Sequence, residues 1–503
     1  MDLLKCSILS LSILLANHVY ALQISQTKDR WYQASLKTLA KIKAQRHITT
    51  KAKNIILFIG DGNGVSTVTA TRIYAGQKRG LSGEEHVLSY DALPNVALAK
   101  TYNTNAQTPD SAGTATAILT GIKTKAGLLS VTDAVVRGDC VAALANNATT
   151  VFELAEAAGM STGIVSTARV THATPAAAYA HSADRNYEDD SKLSAAQKAA
   201  GCIDIATALV EFNIGDGIDV IMGGGRRHFI GIGSVDEEGK KGRRTDGKNL
   251  IQRWQNRYKD GVYIWNQQGF DHLSTGNQKV LALFNNSHMA YEIDRAADKG
   301  GEPSLAQMTA KSIQLLSKNQ QGYMLMVESG RIDHAHHQGN AKRALEDGLA
   351  FDAAVQVALQ STDPLDTLII VTADHSHTLM MQGYAKRGND ILGLSYAIDA
   401  GDGKNIGKLN LSSDGKPYTT LVYANGPGGS VGERPDLTKT DVTDVDYQQQ
   451  AIVVRKSETH SGEDVAIYAR GPKAHLFAGT VEQNYIFQVM NEAADLVVRA
   501  MAN

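Results

Sequence analysis

Residues Tyr323–His337 read Y-M-L-M-V-E-S-G-R-I-D-H-A-H-H. The first five are continuously apolar, the pattern of a strand buried on both faces of a parallel sheet. The ten residues from Glu328 on carry two carboxylates and three imidazoles. Ligand-bearing groups at the end of such a strand face the crevice where open α/β sheets bind their ligands, which argues for a metal site on an α/β fold. If the segment after Gly330 is helical, Asp333 and His337 share a face, His334 lies at its shoulder and His336 points elsewhere. A polar surface turn is the competing explanation for this segment taken alone.

The same grammar recurs outward along the chain. Asn54–Ile59, N-I-I-L-F-I, ends in G-D-G-N-G at 60–64 and is followed by helical potential over Val65–Tyr74, placing Asp61 at a strand tip. The loop lacks the Gly-Lys-Ser/Thr of a nucleotide-binding turn. Thr367–Ala373, T-L-I-I-V-T-A, delivers Asp374 and His375, and His460 precedes the strand-like Val465–Ala469. Gly163–Thr167 and Val220–Met222 read as further strands, and Asn484–Arg499 as one closing helix. Between about Gly383 and Val454 the chain turns rich in Gly, Asp and Asn, an excursion that serves as a lid, a rim, a subunit contact or plain surface.

With 503 residues, 43% of them apolar, and no repeat or Pro-rich linker, one enlarged α/β domain with insertions fits better than several modules. A formal charge of -2 gives no bulk electrostatic case for nucleic-acid binding. Residues 1–21 have the form of a secretory signal: Lys5, an apolar Ile8–Ala16 centre too short to span a membrane, and V-Y-A ending at Ala21. No later stretch qualifies as a transmembrane helix. The mature chain is therefore expected from Leu22 on, in a periplasmic or secreted location. Cys6 leaves with the signal, and Cys140 and Cys202 remain for an oxidising compartment. Their spacing permits a disulfide and leaves two buried free thiols as the alternative.

Gln107–Gly121, Q-T-P-D-S-A-G-T-A-T-A-I-L-T-G, has Pro109 suited to a first helical turn and Asp110 or Ser111 among free backbone donors. Ser111 is either a cap or a nucleophile placed where a helix amino terminus attracts an anion. Nitrogen and oxygen ligands without thiolates suit zinc and harder divalent ions. Several carboxylates together also need cations to suppress their repulsion, which argues for more than one metal. Two adjacent metals and an arginine fork suit phosphoryl transfer, though spacing alone leaves Arg185, Arg169 and Arg331 open.

Six motifs in order carry a resemblance. They are D-G-N-G at Asp61–Gly64, T-P-D-S-A-G-T-A at Thr108–Ala115, H-A-T-P-A-A-A-Y-A-H-S-A-D-R at His172–Arg185, E-S-G-R-I-D-H-A-H-H at Glu328–His337, T-A-D-H-S-H at Thr372–His377 and E-T-H-S-G-E-D-V at Glu458–Val465. From about Lys53 to the carboxyl terminus the chain resembles the alkaline phosphatase family, especially its animal-type branch. The resemblance implies a three-layer α/β/α sandwich with a large, mostly parallel central sheet, a homodimer, and hydrolysis of phosphate monoesters through a phosphoserine. It assigns Ser111 as nucleophile, Arg185 as phosphate clamp and Asp110 as the carboxylate orienting that guanidinium. One zinc is implied at Asp333, His337 and His460, a second at Asp61, Asp374, His375 and the Ser111 oxygen, and a magnesium at Asp61, Thr174 and Glu328. His172 and His334 stand behind these ligands as the animal-type choice, His377 has no necessary ligand role, and His336 receives none. Cys140 and Cys202 are implied to pair. Animal-type members hold a further calcium, but Asn285 follows Phe284 where a glutamate is expected, which counts against calcium here. The chain end lacks the apolar tail of a glycolipid-anchor signal, and Asn147–Thr149, N-A-T, formally permits glycosylation.

Two other readings compete. A phosphodiesterase or sulfatase could use the same fold, although T-P-D-S-A is not the C/S-x-P-x-R of sulfatases. A secreted metal-binding protein without turnover would need most ligands but not both Ser111 and Arg185.

Overall fold

Alternate residues of the strand Asn54–Gly60 feed two different cores: Ile55, Leu57 and Ile59 pack into one, Ile56 and Phe58 into the other. Side chains two apart on a strand share a face, so this strand lies between two helical layers. The structure is a computed structural model that describes residues 25–276 and 279–502. The expected signal peptide, 1–21, lies outside the described residues.

In chain order the strands of the main sheet are β1 (Asn54–Gly60), β2 (Asn95–Lys100), β3 (Ser161–Arg169), β4 (Val220–Gly224), β5 (Val262–Ile264), β6 (Val280–Leu283), β7 (Tyr323–Ser329), β8 (Thr367–Ala373), β9 (Val465–Arg470) and β10 (Thr480–Glu482). They are ordered β10-β2-β9-β8-β1-β7-β3-β4-β6-β5, and β9 alone among them runs antiparallel to its neighbours. One face carries helices Ser111–Thr120 and Tyr485–Ala494, the other Val65–Gln77, Leu305–Leu316 and Ala341–Ser361. The expected three-layer sandwich is what forms. β1, β7 and β8 end side by side, with Gly60 paired to Ser329 on one side and Ala373 on the other, so the residues that follow them meet at one rim of the sheet.

Three sequence expectations are adjusted. β7 continues through Ser329, so Glu328 is itself a strand residue. The closing helix is two, Tyr485–Ala494 and Leu496–Ala502, because Asp495 takes a left-handed φ of 53° that no helix interior accommodates. The excursion around 383–454 is less irregular than its composition suggests. Its strand Leu421–Gly426 pairs antiparallel with Leu379–Met381 and parallel with Ala451–Val454, over a small core of Leu379, Ile391, Leu392, Leu421 and Tyr423.

The described chain divides at Arg46/His47. The first unit is built on helix Arg30–Ala44, capped by Asp29, which accepts from the Trp31 and Tyr32 amides. Its Trp31, Leu39 and Ile42 side chains are exposed. In the second unit Cys140 and Cys202 form a disulfide with Cα atoms 5.4 Å apart. Among the described residues no helix is long and apolar enough to cross a membrane.

Candidate active site

The rim where β1, β7 and β8 end collects the ligand-type residues into three groups. Asp333, His337, His377 and His460 form one, Asp61, Asp374 and His375 a second, and Asp61, His172 and Glu328 a third. Within each, one ligand atom per residue lies within 4.8 Å of the others. Asp61 belongs to two groups because it leaves β1 at the centre of the rim. Gly62 turns the chain there with φ +71°, and a Cβ on it would sit 2.4 Å from the His377 ring, so both backbone and packing demand glycine.

The first group is built by a short helix. Arg331–His337 is helical, which places Asp333 and His337 on one face as their spacing predicts. His337 Nδ1 lies 2.7 Å from the Glu458 carbonyl and His460 Nδ1 2.8 Å from the Pro109 carbonyl. Carbonyls only accept, so both Nδ1 atoms carry a proton, and in the neutral ring each Nε2 is the free lone pair. Each Nε2 stands 3.3 Å from Asp333 Oδ1. Backbone-anchored imidazoles aimed at one carboxylate are how metal sites fix ligand tautomer and direction.

His377 joins this group, which its sequence motif did not require. Its Nε2 is 2.7 Å from Asp333 Oδ1 and its Nδ1 2.6 Å from Glu458 Oε2. Burial pulls the imidazole down, but the Glu458 and Asp333 carboxylates outweigh it and push its pKa up to about 10. Burial likewise raises Asp333, yet His337, His377 and His460 hold it well below the usual carboxylate range. Glu458 is fully buried and also accepts from the Thr378 amide and hydroxyl at 2.7 and 2.6 Å.

In the second and third groups the balance reverses. Burial, then Asp374, Asp333 and Glu328, drive Asp61 well above its ordinary value. Burial pushes Glu328 up to about 7, and Asp374 rises for the same reason. Neither oxygen of Asp61 accepts a hydrogen bond, nor does Glu328 Oε1. Buried carboxylate oxygens without donors are costly unless a cation serves them, so the donor set fits divalent metals. Ser166 Oγ holds the other Glu328 oxygen, and the buried Thr174 hydroxyl faces Glu328.

Ser111 opens helix Ser111–Thr120, but the cap is Asp110, whose Oδ1 accepts from the Gly113 amide at 3.1 Å. Capping therefore does not occupy the serine hydroxyl, which lies 3.1 Å from His375 Nε2. Asp110 Oδ2 takes Arg185 Nη1 at 3.0 Å, and Arg185 Nη2 lies 3.1 Å from His172 Nε2. Burial lowers the Arg185 pKa and Asp110 more than restores it, so the guanidinium stays charged. Arg169 borders the same cavity, but its donors are engaged: Glu188 grips it twice, each at 2.7 Å, and His288 takes its remaining nitrogen. Arg331 lies over the Tyr291 ring at 3.6 Å. Of the three arginines that spacing left open, Arg185 is the one paired with Asp110, the residue before Ser111. Ser111, Arg185, Asp333, His337 and His460 line one cavity of about 350 Å³.

His334 belongs to none of the three groups. Its ring packs at a tilt, 4.0 Å from that of His288 and 5.4 Å from that of His172 between centroids. His288 escaped the sequence reading altogether, lacking any motif, as did Ser166. Glu458 lies in the E-T-H-S-G-E-D-V motif, two residues before His460, and its buried carboxylate is tied to His377.

The sequence model of the alkaline phosphatase family matches residues 52–496. The chain belongs to the alkaline phosphatase family. It is 45% identical over 478 residues to the tissue-nonspecific alkaline phosphatase of Gallus gallus, covering 93% of this chain and 89% of that protein. Identity to the alkaline phosphatase of Gadus morhua is 45%, over 92% of this chain and 96% of the other. Among solved structures, the alkaline phosphatase of Thermus thermophilus superposes with a TM-score of 0.62 at 24% identity, over 90% and 94% of the two chains. That of the Antarctic bacterium TAB5 gives 0.60 at 22% identity, over 89% and 99%. At those identities the two structures speak for the fold. As an alkaline phosphatase the chain is a metal-dependent hydrolase of phosphate monoesters.

Around Phe284 and Asn285 the chain places a cation of its own. The fully buried Arg226 guanidinium already meets Glu238, Glu237 and the Phe284 carbonyl. Asn285 donates its amide to Glu302 at 2.8 Å.

Proposed function

We propose that Ser111 is the nucleophile of this phosphatase, that Arg185 holds the transferring phosphate, and that the reaction passes through a phosphoserine. The observation that carries the reading is the uncapped Ser111 hydroxyl, 3.1 Å from His375 Nε2, in one cavity with Arg185 and the first metal-competent group. Asp333, His337 and His460 would hold one zinc, Asp61, Asp374, His375 and Ser111 the second, and Asp61, Thr174 and Glu328 a magnesium. Bound there, these ions supply Lewis-acid stabilisation of the attacking and leaving oxygens and neutralise phosphate charge.

The chain's own residues do the rest. Ser111 Oγ, giving up its proton, attacks phosphorus in line with the ester oxygen, whose bond to phosphorus breaks as the alcohol leaves with a proton; water then enters from the side the alcohol vacated and releases phosphate and the serine hydroxyl. Arg185 spans two nonbridging oxygens with its planar fork, and Asp110 keeps that fork charged and oriented. His172 braces Arg185 from the other edge, and His334 with His288 packs behind it. A cavity whose polar groups serve the phosphate leaves the alcohol weakly specified, so a range of monoesters is accepted.

Purified protein assayed on monoester and diester substrates, before and after chelation and zinc readdition, tests the reading. Monoester turnover lost on chelation and restored by zinc supports it. Full zinc occupancy without phosphate release, or a lasting preference for diesters, overturns it.

Residues 1–21 are the export signal, Leu22–Asn503 the catalytic domain, and 383–454 its rim. The disulfide suits a periplasmic or secreted site, and the exposed Ile452, Val453 and Val454 on the outer rim strand favour a homodimer. Amino-terminal sequencing of exported protein and its mass by light scattering check both. No calcium is needed where Arg226 is already the cation.

A further inference from the structure

His336 sits in the most metal-dense stretch of the chain, is fully buried, and touches no metal-competent group through a nitrogen. Both ring nitrogens are nevertheless engaged. Nε2 lies 3.0 Å from the Thr67 hydroxyl and Nδ1 2.7 Å from the Tyr423 hydroxyl. Its ring lies against that of His377, with centroids 4.8 Å apart and planes 31° apart.

These contacts join three parts of the molecule. Thr67 belongs to the helix that follows the Asp61 loop, and Tyr423 to the central rim strand. His377 is hydrogen-bonded to Asp333. His336 itself stands on the helix that presents Asp333 and His337. That helix has seven residues and no side-chain cap at Gly330, too short to hold its shape or position unaided. What touches its flanks therefore decides where its ligands point. Apolar packing by Ile332 and Ala335 fixes its depth but is non-directional. Two hydrogen bonds on opposite edges of one ring also fix its rotation. Leaving either nitrogen unpaired in this dry site would be expensive.

We infer that His336 is a positioning residue for the first zinc, and that Tyr423 and Thr67 act through it to slow release of that metal. The inference rests on the proposed zinc assignment. It also gives the excursion at 383–454, which lends no residue to the three groups, a hold on metal retention.

The test is zinc release from the intact holoenzyme into excess colorimetric chelator, well below the melting temperature. In the parent, His460→Ala and His375→Ala identify which phase belongs to the first and which to the second group. Tyr423→Phe keeps the ring and deletes one bond, and is expected to speed the first-group phase about three- to tenfold, the scale of one lost hydrogen bond near a ligand. The second-group phase stays at the parental rate. Thr67→Val is expected to act in the same direction and Thr67→Ser to restore parental release. An unchanged first phase in both Tyr423→Phe and Thr67→Val, or equal acceleration of both phases, which marks general loosening, overturns the inference. A parent with no zinc-release phases, or phases that His460→Ala and His375→Ala do not remove one each, overturns the zinc assignment and this inference together, whereas two phases so removed uphold the assignment whatever the variants at Tyr423 and Thr67 do.

Discussion

Two acidic clusters lie at opposite ends of the same sheet, and their contrast explains which one is an active site. Asp61, Asp374, Asp333 and Glu328 gather at the carboxyl ends of β1, β7 and β8, with Asp61 and Glu328 oxygens lacking donors. Glu156, Asp216 and Asp219 gather at the amino ends of β3, β4 and β6. There Lys279 Nζ lies 3.0 Å from Asp219, 3.2 Å from Asp216 and 2.5 Å from the Gly217 carbonyl, while Thr162 gives its amide to Asp219 and its hydroxyl to Glu156. That second cluster borders a cavity of about 650 Å³, larger than the catalytic one. Size and acidity do not distinguish a metal site from a structural one. What distinguishes them is whether the chain supplies the balancing cation itself.

The largest expected effect bears on the catalytic end alone. Ser111→Ala should lower kcat by at least about a thousandfold while bound zinc, measured by atomic absorption, stays near parental. A parental rate would remove Ser111 from the mechanism.

At the other end, Lys279→Met should destabilise the fold by about 3 kcal/mol in urea unfolding, because two carboxylates lose their partner. Its kcat and zinc content should not move. If zinc content fell, the two clusters would not be independent.

Asp61→Asn should change sign with metal. Without metal it should raise stability by about 2 kcal/mol, since a buried, repelled carboxylate becomes neutral. With zinc supplied, the parent should be the more stable of the two, because it binds the ions that the variant cannot retain. Calorimetry with and without chelator reads both signs.

The last effect is a slope rather than a step. Burial pushes Glu156 up to about 8, from an unfolded value near 4.5. Between those values the folded state keeps a proton that the unfolded chain releases. Glu156 therefore makes stability fall as pH rises, by up to about 1.4 kcal/mol per pH unit. Glu156→Gln should flatten the stability profile between about pH 5 and pH 8.

Most of the catalytic end was legible because its signals are local. Each of β1, β7 and β8 is an apolar run with a ligand at or beside its tip, and Asp333 with His337 needs only helical spacing. Spacing could not separate Arg185 from Arg169, because the Glu188 and His288 contacts that engage Arg169 exist only once the chain is folded. The tautomers of His337 and His460 depend on carbonyls at Glu458 and Pro109, the latter some 350 residues from its histidine. The rim's small sheet was hidden because its strands are short and separated by loops rich in Gly and Asp. The break at Asp495 rests on one backbone angle in an otherwise continuous helical pattern. The balancing of the second cluster by Lys279 joins groups that share no motif.

One feature of the sheet bears on how the protein is made. β2, at residues 95–100, joins the sheet only through β9 and β10, at 465–470 and 480–482. A strand synthesised in the first fifth of the chain thus waits for partners in the last tenth. Until they emerge, its hydrogen-bonding edges stay open, which makes folding slow and the nascent chain vulnerable to association with others. His460 arrives with that same final segment, so an incompletely synthesised chain can neither close its sheet nor complete its first metal group. Catalytic competence is the last thing this polypeptide acquires.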